Sequence, residues 1–145
     1  MTIGWIRRIR CAWCARRLLA DITLLTGAYC GLVNRLDDGF NEDTFTDAYH
    51  MRHVIEPRLG ELEAYLAAGT LPDRWHAGRR GQVADGLNTA DELMDKARTQ
   101  HNEMLLLEYE ANGMPEHVLE HIRQAMAGTD GLLGGIEVMR LDEEQ

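Results

Sequence analysis

Apolar residues recurring at alternating intervals of four and three constrain this chain most, because only a helix brings such positions onto one face. Cys11, Ala15, Leu18, Ile22, Leu25, Tyr29, Leu32 and Leu36 form one such line. Ile55, Leu59, Leu62 and Leu66 form a second, and Val83, Leu87, Ala90, Met94, Ala97, His101 and Met104 a third. Seams of this length predict long helices that pack side by side. No stretch alternates convincingly with the period of two that a strand requires, and no longer repeat marks a solenoid.

Turn and cap chemistry places the helix ends. Asp37, Asp38, Gly39 and Asn41 suit a stop and a restart, so a second helix is expected from about Asp43 to Ala68, closed by Gly69. Within it Pro57 lacks a backbone donor and disfavours helical geometry at Glu56, which predicts a kink or a division there. Gly27 and Gly31 lie inside the first seam; small residues permit close approach, so a tight helix crossing is expected at that point. Pro72 and Asp73 suit the first turn of a third helix. The cluster Gly78, Arg79, Arg80, Gly81 is expected to interrupt that helix before it resumes and stops at Asn112 and Gly113. Met114 and Pro115 open a shorter fourth helix ending near Gly128. Leu132, Leu133, Ile136, Val138, Met139 and Leu141 predict one last short helix.

The predicted architecture is therefore all-α: an antiparallel helical bundle or a long helical hairpin, with short accessory helices at the C-terminus, in a single domain over residues 1–145. Long helices in a chain of 145 residues bury little surface, so a partner is expected to complete the core, and open seams invite a homo-oligomer.

Charge is distributed unevenly. The net charge is -9, yet the first twenty residues carry Arg7, Arg8, Arg10, Arg16 and Arg17 and no acid, so this segment is +5 and the remainder -14. An acidic body disfavours nucleic acid, and no specific nucleic-acid binding is expected. Residues 1–17 read as a basic amphipathic arm, with Ile3, Trp5, Ile6, Ile9 and Trp13 among the arginines. Trp5, Arg7, Arg8, Arg10, Trp13, Arg16 and Arg17 are the candidate partner-binding residues, since tryptophan and arginine dominate interface hot spots. The same composition suits contact with an anionic membrane surface, or docking on the acidic body of the chain itself. The apolar stretch from Leu18 to Val33 is interrupted by Asp21 and is too short to span a bilayer. Three cysteines crowded into the first thirty residues make a poor disulfide framework, which points to a reducing, cytoplasmic compartment.

Several constellations carry possible chemistry. His117, Glu120 and His121 match the H-x-x-E-H pattern and so resemble inverted zinc proteases, in which two histidines hold the metal. With Val118 and Ile122 on the buried face, the histidines flank it and Glu120 points to solvent, and the third-ligand candidates are generic acids such as Glu137. Cys11 and Cys14 form a C-x-x-C without a second pair, and Cys30 stands alone. His50 and His53 share a helix face with Asp47 and Glu56, but no Glu-x-x-His accompanies them, as a di-iron bundle would need. Glu92 and Asp95 form an E-x-x-D fragment that resembles the all-α nucleotide pyrophosphohydrolases similar to MazG. That resemblance implies magnesium held by four acids on two helices, and here Glu61 and Glu63 would supply the other half, in place of the absent E-E-x-x-E. Gly78 to Gly81 offers an anion cradle that matches no known phosphate loop.

No cofactor is called for by any complete motif. The expectation that follows is a non-enzymatic protein-protein interaction module: an adaptor, inhibitor or assembly subunit, with the profile of a small bacteriophage or mobile-element protein acting on a host factor. The contrasting expectations are a magnesium-dependent pyrophosphohydrolase and a self-assembling structural subunit.

Overall fold

The computed structural model describes residues 2–69 and 71–128. It is a bundle of four helices, α1 (Thr2–Asp38), α2 (Glu42–Ala67), α3 (Asp73–Ala111) and α4 (Glu116–Gly128), with no strand among the described residues. The short connections make α1, α2 and α3 run up, down and up, so α1 and α3 are parallel with α2 reversed. The last helix folds back on the end of α3. The further helix expected from Leu132 to Leu141 lies outside the described residues.

Local chemistry sets the boundaries. Asn41 caps α2, its side-chain oxygen accepting from the Thr44 amide at 3.0 Å. After α3, Gly113 takes a left-handed φ of 81°, its N–H bonds the Glu110 carbonyl, and the Met114 N–H reaches the Tyr109 carbonyl at 3.1 Å. This pair of bonds satisfies carbonyls that a helix end leaves open, and the left-handed turn favours glycine. Gly69, with φ 71°, does the same work after α2.

Two expected breaks are absent. Helix α2 runs undivided through Pro57, whose missing donor falls on an exposed side of the helix, where water can serve the freed carbonyl. Helix α3 runs undivided through Gly78 to Gly81; Arg80 there pairs with Glu63 of α2, and side-by-side packing outweighs the weak helix propensity of two glycines.

The core confirms the heptad reading and widens it. Buried in α1 are Ala15, Leu19, Ile22, Tyr29, Val33 and Leu36, whereas Leu18, Leu25 and Leu32 of the expected line are half-buried beside them. A helix that serves two neighbours needs a broader apolar face than a single seam provides, and α1 packs along both α2 and α3. Phe45, Ala48, Ile55 and Leu62 complete the core from α2, and Val83, Leu87, Ala90 and Met94 from α3. The third seam fails at its end: Met104 is 67% exposed. By that point α3 has outrun its long neighbours, since Phe40, in the α1–α2 turn, stacks on His101. Beyond it Asn102 and, in α4, Leu119 are buried instead.

The glycine at the helix contact is not one of those expected. A β-carbon at Gly27 or Gly31 would meet nothing within 4 Å, whereas at Gly86 of α3 it would lie 3.6 Å from Thr26 and 3.8 Å from Cys30. Gly86 thus lies where α3 meets α1, and a β-carbon there would make ordinary van der Waals contact.

One polar network ties the three long helices together. The Tyr29 hydroxyl of α1 donates to Asp91 Oδ1 of α3 at 2.5 Å, and Arg52 Nε of α2 donates to both oxygens of that carboxylate at 3.0 and 3.2 Å. Arg52 also donates to Glu56 at 2.6 Å. Burial, reinforced by the hydrogen bond to Asp91, pushes the Tyr29 phenol well above its ordinary range. A raised folded-state pKa means that the neutral phenol is favoured, so this stability is complete below the unfolded pKa near about 10 and is lost as pH rises above it. Tyr29→Phe is expected to lower unfolding free energy by about 1 to 2 kcal/mol at neutral pH. Denaturant titrations across the alkaline range should show the wild type weakening more steeply than Tyr29→Phe above about pH 10; parallel slopes would disprove the role of the phenol.

Candidate partner-binding face of the first helix

The sequence-predicted basic arm is the continuous start of α1, and its residues 4–10 are exposed on every side. Trp5 is 66% exposed and Trp13 72%, and the arginines at 7, 8, 10, 16 and 17 are exposed as well. Trp5, Ile6, Ile9 and Trp13 are thus not docked on the acidic body; Arg16 meets the bundle, its guanidinium carbon 4.4 Å above the Trp75 ring at the start of α3.

At about 100° per residue, Ile6, Ile9, Trp13, Ala20, Leu24, Gly27 and Gly31 fall within an arc of roughly 60° on the side of α1 opposite the core. All seven are exposed, Leu24 at 74%. Their spacings are three, four, seven, four, three and four, the same rhythm that builds the core. Between Ile6 and Gly31 no charged residue lies within the arc; Arg16 and Arg17 flank it where the heptad step would otherwise fall. Helix α1 therefore carries two heptad faces, of which the described helices cover one.

The pattern that revealed the inner face was also present here. Beyond residue 17 its signal is weak, because Ala20, Gly27 and Gly31 offer little apolar surface and glycine is a poor helix former. Only the placement of α2 and α3 shows which of the two faces is vacant.

The other candidate residues are dispersed. His117, Glu120 and His121 are exposed on α4, where Leu119 is the buried residue and Val118 and Ile122 are half-buried to either side. Glu120 and Glu116 both engage Arg123, and Glu137 lies outside the described residues. Glu92 is exposed and Asp95 pairs with Arg98 at 2.6 Å. Glu63 pairs with Arg80, which at 1.5 Å per residue sits about 18 Å along α3 from Glu92, so the four acids do not gather. Glu61 is exposed. His50 and His53 are exposed beside Tyr49, with the His53 ring centroid 4.4 Å from the tyrosine ring. Among the described residues no group of three or more His, Cys, Asp or Glu side chains is placed to hold a metal ion. Cys11, Cys14 and Cys30 are free thiols. Burial, then the charge of Asp91, pushes the Cys30 thiol up, which opposes a nucleophilic role.

A cleft of about 280 Å³ opens between α2 and α3 over α1, lined by Leu19, Ile22, Leu59, Leu62, Val83 and Leu87. Arg52, Glu56, Glu63 and Arg80 form its rim, and each already has an ionic partner in the bundle. An apolar slot with satisfied charges offers packing space but no reactive group. No helix among the described residues is long and apolar enough to cross a membrane.

If the outer face of α1 serves no purpose within the fold, Leu24→Ser should change the unfolding free energy of the monomer by less than about 0.5 kcal/mol, while Ile22→Ala on the inner face costs about 2 to 5 kcal/mol. Equal losses in chemical denaturation would show that the outer face is needed for the fold itself. Compared with family models, curated proteins and solved structures, the chain matches none.

Proposed function

We propose that the chain is a non-enzymatic interaction module that presents the outer face of α1 to a helix of a protein partner. The observation that carries this reading is the second heptad line, from Ile6 to Gly31, lying opposite a core that α2 and α3 already complete. Heptad spacing is of use only against another helix, whereas isolated exposed apolar residues are ordinary on any surface. The face also has the composition of an interface: large anchors in Trp13, Ile9 and Leu24, arginines at its margins, and small residues that admit a close neighbour.

Helix electrostatics support the same reading. The first turn of α1 contains no acid, and arginines follow within two turns, although the positive end of the helix dipole favours negative charge there. Arginine in that position stabilises α1 little and is suited to meeting acidic groups supplied from outside. No comparable case exists for hydrolysis, because Glu61, Glu63, Glu92 and Asp95 stand apart.

A photo-activatable cross-linking residue at position 24, introduced in the native cell, should yield one discrete protein adduct. The same residue at position 103, exposed on α3, should not. Identical adduct patterns from both positions, or none from position 24, would defeat the proposal.

A further inference from the structure

We infer that the partner of this face is a second copy of the chain, bound antiparallel along α1; this rests on the interaction reading above. The face is unequal from end to end. Its first half carries the bulky Ile6, Ile9 and Trp13, and its second half carries Gly27 and Gly31, around which there is open space for a foreign side chain. Reversing one copy against another about a crossing near Ala20 lays Ile9 and Trp13 of each over Gly31 and Gly27 of the other. Two-fold symmetry then supplies both halves of the fit from one sequence, as an isologous interface requires.

Charge selects the same orientation. Residues 2–20 hold five arginines and no acid, whereas α1 ends on Asp37 and Asp38 at the negative end of its dipole. Antiparallel pairing sets the +5 first half of α1 in each copy against the second half of the other, where Asp21, Asp37 and Asp38 outnumber Arg35. Parallel pairing would stack +5 on +5 and would oppose tryptophan to tryptophan across the seam. The same arrangement covers the first turns of α1, which extend unsupported beyond the bundle in the single chain. A lipid surface would meet Trp5, Ile6, Ile9 and Trp13 equally well, but it makes no use of glycines one turn apart, whose value is close approach of a second helix.

Sedimentation equilibrium of the purified full chain at tens of micromolar is expected to give twice the chain mass. The double variant Gly27→Leu, Gly31→Leu fills the space that the bulky side chains would enter. It should weaken self-association by about tenfold or more. Because nothing in the bundle faces those glycines, the variant should unfold at a temperature no lower than that of a wild-type sample diluted to monomer. A photo-activatable residue at position 13 should couple to the peptide containing Gly27 and Gly31 of the other copy. A wild-type monomer, a dimer unaffected by the double substitution, or coupling of position 13 to its own counterpart would each overturn the inference. So would a monomer that co-sediments with vesicles containing anionic phospholipid. A monomeric chain that still forms a foreign adduct through position 24 in cells would remove the second copy alone; absence of any adduct would remove the interaction reading with it.

Discussion

Both other long helices lie along one side of α1, and burial of that side is the interaction on which the rest of the molecule depends. Each core leucine or isoleucine contributes roughly 1.5 to 3 kcal/mol when it leaves water, and Ile22, Ile55 and Leu62 do so almost completely. Because α2 and α3 share this one helix, its apolar face must be broader than a two-helix seam. That breadth explains why Leu19 and Val33 are buried alongside the expected Ile22 and Tyr29. Among the described residues nothing covers the opposite face of α1.

Hydrophobic burial of this kind is tolerant of sliding, since one heptad resembles the next. The contact of Tyr29 and Arg52 with Asp91 is not. A shift of α3 by one turn, about 5.4 Å, would strand a buried hydroxyl and a carboxylate without partners. Gly86 faces Thr26 and Cys30 of α1 at the same level of the bundle. The polar pairing specifies the register that apolar packing leaves open.

The surface that remains is divided by function of its residues. Where α2 meets α3, charged groups are already matched to one another, and the acids that might have held a metal are spread along helices or engaged by arginine. Along the outer side of α1 the reverse holds: large apolar side chains and arginines stand in water beside small residues. The helix-recognition reading proposed above rests on this distribution.

Periodicity in the amino-acid order was sufficient for the all-α class, the three long helices and nearly all of their ends, since helix geometry and capping act over a few residues. Leu18 and Leu25 of the first seam lie at the margin of the core, whereas its first residue, Cys11, is not packed against it. Tertiary packing alone decided the rest. That α2 passes Pro57 intact and α3 passes Gly78 to Gly81 intact follows from neighbours that support the helix from the side, an energy invisible in any local window. That Gly86 and not Gly27 lies at the contact between α1 and α3, and that Asp91 and not Glu92 faces the bundle, depends on how far α3 is rotated about its axis. The two heptad faces of α1 were equally present in its sequence; which became core was settled by where the turns at 39–41 and 68–72 sent the next two helices.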